Sequence, residues 1–391
     1  RTLEAHATQQ SQILFQRHLE GPSARCGRAR LHKLFCMMEK KPMPEYLDAA
    51  ATTPVDPRVL EAMLPYFSEI FGNASSQHIY GQQAKAAVEK AREQVASIVN
   101  VEPSEIIFTS GATEAINLAI KGYWEANRNR GNHLITVKTE HKAVLATHEY
   151  LETLGVEVTY LNVNRNGLIS IDELTSSLQT DTILVSAMHV NNETGIIQDI
   201  HRIASLCADQ GIAFFTDATQ AVAHIPTDYS NDTISMACFS AHKFGGPKGI
   251  GALVVKKGIT IAPQIHGGGQ ENGLRSGTYN TPLIVGFGEV CAKCAFKNPF
   301  NSQTAILEKV ISTSQVRGHF LSNQNRSPHI INFQIDVDDA TNIKSLLGKK
   351  AAYSTGSACN SSIITKSHVE EAMEMNDSEL LRFSFSKYIN W

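Results

Sequence analysis

The stretch EIIFTSGATEAINLAIKG, Glu105 to Gly122, joins a short apolar run, a glycine turn and a helical pattern without a break. Ile106 to Phe108 read as a buried strand, since an unbroken apolar run ending in a turn signal suits a sheet covered on both faces. From Thr113 the segment TEAINLAIKGYWEANR reads as the helix that follows it. The alternation then repeats along the chain. HLITVKTEH (133–141) precedes a helix around Ala143–Leu154, and VEVTYLNV (156–163), TILVSAMHV (182–190), IAFFTDAT (212–219), ISMACFSAHK (234–243) and GALVVKK (251–257) continue the series. Apolar strands separated by helices imply an α/β fold built on a parallel sheet.

In such sheets the functional groups gather where strands reach their carboxyl edge. Polar residues follow the apolar runs here at Thr109 to Gly111, Glu140 and His141, His189 to Glu193, Asp217, and Ser240 to Lys243. That is more polar strand tips than packing needs, so the edge is expected to hold a site.

Composition bounds the class of function. The chain of 391 residues is 42% hydrophobic and 19% charged, the profile of a globular protein long enough for two domains. A net charge of -3 argues against direct nucleic-acid binding, and no apolar run approaches the roughly 20 residues of a membrane span. Residues 1–41 differ: eight Lys/Arg stand against three Asp/Glu, leaving 27 against 35 elsewhere. This head reads either as a transit segment, which would make the protein mitochondrial, or as sequence upstream of a start at Met37 or Met38. The second reading is preferred, with a cytoplasmic protein as the expectation. Seven scattered cysteines form no disulfide framework, and Cys291 and Cys294, on a helical GFGEVCAKCAF, are expected to be structural. The expected division is an extension over 1–44, a large domain over 45–295 and a small domain over 296–391.

Lys243, in SAHKFGGPKGIG (240–251), raises the question of chemistry. A lysine becomes a nucleophile when desolvation lowers its pKa, and its main use is a Schiff base with a carbonyl. The largest class of such lysines holds pyridoxal phosphate, which needs an acid on its ring nitrogen and a phosphate cradle. Asp217 ends an apolar strand 26 residues earlier, and TSGATEA (109–115) is a glycine-containing turn into a helix N-terminus. Lys248 is the competing lysine, in a GGPKG turn that exposes it. Each signal alone is weak; in this order on an α/β sheet they point to a cofactor enzyme.

The longer motifs carry a resemblance. YLDAAATTPVDPRV, FTSGATEAINLAIKG, TEHKAVL, MHVNNETG, DATQA, SAHKFGGPKGIGAL, GGGQENGLRSGTYN and STGSACNSS stand in the order found in pyridoxal-phosphate-dependent cysteine desulfurases of the NifS/IscS-like group, within the class V aminotransferases. The chain resembles that family densely over 45–290 and again over 350–390. The resemblance implies a large domain with a mainly parallel seven-stranded sheet, of the type I transferase fold, and a smaller α+β C-terminal domain. It also implies roles. Lys243 matches the Schiff-base lysine, His141 the histidine over the cofactor ring, Asp217 the partner of the ring nitrogen and Gln220 the donor to the ring hydroxyl. Ala112, Thr113, Ser240 and His242 match the phosphate cradle. Thr278 matches a residue supplied by the other subunit of a homodimer. Arg382, in LRFSFS, matches the grip on the substrate carboxylate, and Asn192 stands near that carboxylate and the ring hydroxyl. His189 is read as structural, and His266 has no assigned role. No metal ligands are expected.

Cys359 decides the reaction that the resemblance implies. In the family this loop cysteine takes sulfur from L-cysteine as a persulfide, leaves L-alanine, and passes the sulfur to an acceptor protein. Iron–sulfur cluster assembly, tRNA thiolation and DNA phosphorothioation are the pathways considered. The alternatives are a selenocysteine lyase and a catalytically silent scaffold. Two departures stand out: the family continues well past its arginine segment, whereas Trp391 lies nine residues after Arg382, and over 295–350 only PHIINFQI (328–335) resembles it.

Overall fold

The computed structural model describes residues 44–294, 307, 311, 318–321, 324–336, 351–355, 366–375 and 378–386. The chain divides into two compact units, Arg1–Glu45 and Tyr46–Trp391, and both sheets that shape the site belong to the second. Seven strands form the main sheet: β1 (Ile106–Thr109), β2 (His133–Val137), β3 (Glu157–Leu161), β4 (Thr182–Ser186), β5 (Ala213–Asp217), β6 (Met236–Ser240) and β7 (Gly251–Val255). Their order across the sheet is β1-β7-β6-β5-β4-β2-β3.

Every residue of β1, β2 and β4 to β7 is buried, and alternate residues serve opposite faces. Ile106 and Phe108 belong to a core shared with helices α1 (Ile79–Ile98), α4 (Ile200–Asp209) and α5 (Thr281–Lys293), whereas Ile107 faces α2 (Ala112–Asn127) and α3 (Lys142–Glu152). The same split places Ala237 and Phe239 of β6 on the first face and Met236 and Cys238 on the second. Burying side chains of this size stabilises the fold by about 1.5–3 kcal/mol each.

The sheet is mainly parallel with seven strands, as the resemblance implies, and one strand is reversed. Strand β7 runs antiparallel to β1 and to β6, while the remaining pairs are parallel. The reason lies in the connection. The link from Ser240 to Gly251 is too short for the helical crossover that parallel neighbours need, so the chain turns back as a hairpin. Its first residue is squeezed: a Cβ on Gly251 would lie 2.8 Å from the Gly111 Cα and 2.8 Å from the Phe239 carbonyl oxygen. The other six strands point one way, so Thr109, Asp217 and Ser240 finish on the same edge.

A smaller antiparallel sheet has the order β10-β11-β9-β8, with β8 (Gly318–Phe320), β9 (Ile330–Asp336), β10 (Ser354–Thr355) and β11 (Ser378–Ser384). Phe333, Leu381 and Phe383 build its core together with Leu47 from the start of the unit. The segment 47–50 is stitched to β11: Ser384 donates its N–H to the Leu47 carbonyl, and its carbonyl and hydroxyl accept from Ala49 and Ala50. The N-terminal motif is thereby held between the two sheets.

One buried ion pair locks the glycine-rich loop to the sheet. Arg92 donates to both carboxylate oxygens of Glu271, at 2.9 and 2.7 Å, and to the Ile106 carbonyl. Glu271 also accepts the Phe108 N–H at 2.7 Å, and it holds a φ of 50°, a left-handed backbone strained for a residue other than glycine. Replacing Arg92 by methionine strands a buried carboxylate and is expected to cost about 3–5 kcal/mol, read from the midpoint of urea unfolding. The double change Arg92→Met with Glu271→Gln is expected to recover part of that loss.

Candidate active site

A cavity of about 610 Å³ opens at the carboxyl edge of the main sheet. Lys243 closes the short turn Ala241–Lys243 that follows β6, and its Nζ donates to the carbonyls of Ala50 and Ala51 at 2.8 and 2.9 Å. Burial, reinforced by the Arg382 charge, pulls its amine from 10.5 down to about 8, against the opposing pull of Asp217 and Asp48. A partly buried lysine in this state offers a rising share of free amine as the pH approaches about 8.

Asp217 ends β5. Its Oδ1 accepts the Thr219 N–H at 2.9 Å, and the Cys238 thiol, opposite it in the register of β6, donates to the same oxygen at 3.7 Å. Gln220, one turn further, donates its amide to the Ala50 carbonyl at 2.8 Å. His141 caps the N-terminus of α3, where its Nδ1 accepts the Ala143 N–H at 3.1 Å. That contact places the hydrogen of the neutral ring on Nε2, and burial, the largest influence, lowers the pKa and favours the neutral form.

Helix α2 begins at Ala112 with no side chain capping it. Its first-turn N–H groups therefore point into the cavity edge beside Thr113 and Ser240, the arrangement that binds anions. Gly111, the N-cap, takes φ 157° and ψ 179°, a region that only glycine enters freely. His242 bonds through Nδ1 with the Thr52 hydroxyl at 3.1 Å, and burial, then the charges of Lys243 and Lys248, push it down to about 4.

Arg382, on β11, reaches the cavity from the small sheet. It donates to the Asn192 carbonyl at 2.8 Å and forms an ion pair with Asp48 at 2.7 Å. Its Nε is buried with no hydrogen-bond partner among the described residues. A guanidinium held by two of its nitrogens with a third unsatisfied is set to take a carboxylate.

All the site residues proposed from the sequence line this cavity, apart from Thr278 and Cys359. Thr278 is exposed on the glycine-rich loop, and Cys359 lies outside the described residues. Lys248 is exposed at the cavity rim. His189 is buried and bonded to the Tyr229 hydroxyl, away from the lining. Sequence reasoning assigned nothing to Asp48 or the carbonyls of Ala50 and Ala51, although the motif containing them was in view. It also passed over Cys238, an apparent core residue, and gave Glu140 no role beyond a polar strand tip. Burial, with the Asp217 charge adding and the Met188 N–H opposing, drives the Glu140 carboxyl well above the usual range. Among the described residues no cluster of His, Cys, Asp and Glu is suited to a metal, and no helix is long and apolar enough to cross a membrane.

The aminotransferase class-V family profile matches residues 45–390, so the chain belongs to that family. Within it, the chain is 45% identical over 360 residues to the cysteine desulfurase IscS of Neisseria meningitidis serogroup C (strain 053442), a match covering 88% of each chain. Among solved structures it is similar to a NifS-like protein, with a TM-score of 0.81 and 35% identity over 89% of this chain and 95% of that one. It is also similar to SspA in complex with cysteine, with a TM-score of 0.80 and 39% identity over 87% of this chain and 98% of that one.

The depressed lysine gives a direct expectation. Trapping of Lys243 by a small aldehyde and borohydride, read by peptide mass, should slow about tenfold for each pH unit below about 8 and level off above it. Asp48 favours the charged amine, so Asp48→Asn is expected to move that break to lower pH.

Proposed function

We propose that this protein is a pyridoxal-phosphate-dependent cysteine desulfurase, converting L-cysteine to L-alanine and carrying the sulfur away as a persulfide. The observation that carries the reading is one cavity holding a buried amine of lowered pKa, a strand-end carboxylate and an uncapped helix N-terminus. Those three groups match the chemistry of the cofactor: an aldehyde for Lys243, a ring nitrogen for Asp217, and a phosphate for the N–H groups of Ala112 and Thr113 with Ser240 and His242. The donor set therefore fits. When bound, pyridoxal phosphate supplies an electron sink for charge developing at the substrate α-carbon.

The chain's own residues supply the rest. Arg382 binds the substrate carboxylate through the edge that carries its unpartnered Nε, with Asn192 beside it. Lys243, neutral above about pH 8, takes a proton from the α-carbon. His141 faces the site with Nε2–H and returns a proton to the product side. Cys359 attacks the substrate sulfur as its thiolate, forming an S–S bond as the Cβ–S bond breaks.

A homodimer belongs to the same proposal. Leu64, Phe67, Phe71 and Ile79 are each more than half exposed, large apolar side chains that a second copy would cover. Thr278 is free to serve a second copy's phosphate from its exposed loop. The acceptor is a sulfur-receiving protein, the small sheet belongs to a domain over 296–391, and the protein works in the cytoplasm.

Sulfide and alanine release from L-cysteine, with added pyridoxal phosphate and a reductant, tests the reading. Equal amounts of both products are expected, and Lys243→Ala and Cys359→Ala should each reduce turnover by about a hundredfold or more. Alanine formed at the full rate by the Cys359 variant would remove that residue as the sulfur carrier.

A further inference from the structure

Behind the cavity two imidazoles lie face to face. The rings of His224 and His329 are 3.7 Å apart between centroids and 8° from parallel. His329 is fully buried, and burial, followed by the charges of His224, Arg382 and Lys243, holds its pKa well below the usual value. Neither histidine lines the cavity, yet each touches something that does. His224 Nε2 lies 3.1 Å from the Lys243 carbonyl, and His329 Nε2 lies 3.1 Å from Gln220 Oε1.

The hydrogens in this network can be placed by elimination. The Ala50 carbonyl can only accept, so the Gln220 nitrogen, 2.8 Å away, must be the atom facing it. That leaves Oε1 facing His329, whose Nε2 must then carry the hydrogen, while Nδ1 accepts from the Ser327 hydroxyl at 2.6 Å. By the same rule the His224 Nε2 donates to the Lys243 carbonyl. The amide of Gln220 is thus gripped at both ends, and its second N–H is left to face the cavity.

We propose that His329, clamped against His224, is a positioning residue that fixes Gln220 as a hydrogen-bond donor to the ring hydroxyl of pyridoxal phosphate. The proposal rests on the cofactor reading above. It assigns work to a residue that touches neither cofactor nor substrate. Without His329, Gln220 Oε1 is a buried acceptor with no donor, and the amide loses the contact that resists its rotation.

The experiment compares the unaltered protein with His329→Leu, His329→Gln, Gln220→Leu and the double variant His329→Leu with Gln220→Leu. The readouts are the dissociation constant for pyridoxal phosphate, the absorbance spectrum of the bound cofactor, and the unfolding temperature. His329→Leu is expected to weaken cofactor binding about tenfold and to shift the spectrum in the same sense as Gln220→Leu. His329→Gln, whose amide can still donate to Gln220, should restore both. In the double variant the two effects should not add, because His329 acts only through Gln220. Should His329→Leu fail to fold, Ser327→Ala loosens the same ring and is expected to shift the spectrum in the same direction by less. Unchanged binding and spectrum in His329→Leu, or additive effects in the double variant, would overturn the proposal. Absence of cofactor binding by the unaltered protein strikes instead at the cofactor reading, and this proposal falls with it.

Discussion

Two backbone carbonyls, those of Ala50 and Ala51, hold the Lys243 amine, and Ala50 also receives the amide of Gln220. A carbonyl accepts and never donates, so this short piece of main chain dictates which atoms of the lysine and the glutamine face it. The piece is itself tied at both ends. Ser384 binds it on the side of the small sheet, and on the other side Thr53 exchanges hydrogen bonds with His242 and Gly245 around the lysine turn. Segment 47–53 therefore serves as the rail on which the site is mounted. Two sheets with separate cores are joined there through hydrogen bonds.

The electrostatics follow from where that rail places charges. Lys243 and Arg382 bring two cations into one cavity, Asp217 brings an anion, and Asp48 pairs with Arg382 beside it. Burial works against the charge of the lysine. The lysine sheds part of its claim to a proton, and Arg382 forms an ion pair with Asp48. The nearby histidines are driven toward neutrality, His242 to about 4 and His329 well below its usual value, so they act as fixed donors and acceptors. Such preorganised dipoles need no rearrangement when charge develops on a bound molecule.

Much of this was legible in the residues. Strands buried on both faces announced themselves as unbroken apolar runs, and their polar ends marked the edge where the cavity opens. Asp217 and Lys243 were visible because each follows such a run directly. The reversed strand β7 was not visible, because Ala252 to Val255 has the same apolar look in either direction and only the length of the connection decides. Asp48 escaped notice because an acid in a turn has many ordinary explanations, and its partner Arg382 lies 334 positions away. His329 and His224 were hidden for a related reason: a stacked pair formed across long sequence separation leaves no periodic trace.

The reach of those contacts bears on how the molecule comes into being. A ribosome releases the chain from the N-terminus, and the main sheet with its helices can assemble once α5 has emerged. The lysine turn, made of neighbouring strands, forms early. Yet the hydroxyl that holds the Ala50 N–H belongs to Ser384, and the partner of Asp48 is Arg382, both made long after β7. A nascent chain thus carries a nearly complete cofactor cradle with an unfastened rail. The rail is fastened only once β11 has been made, so the site is completed well after the main sheet.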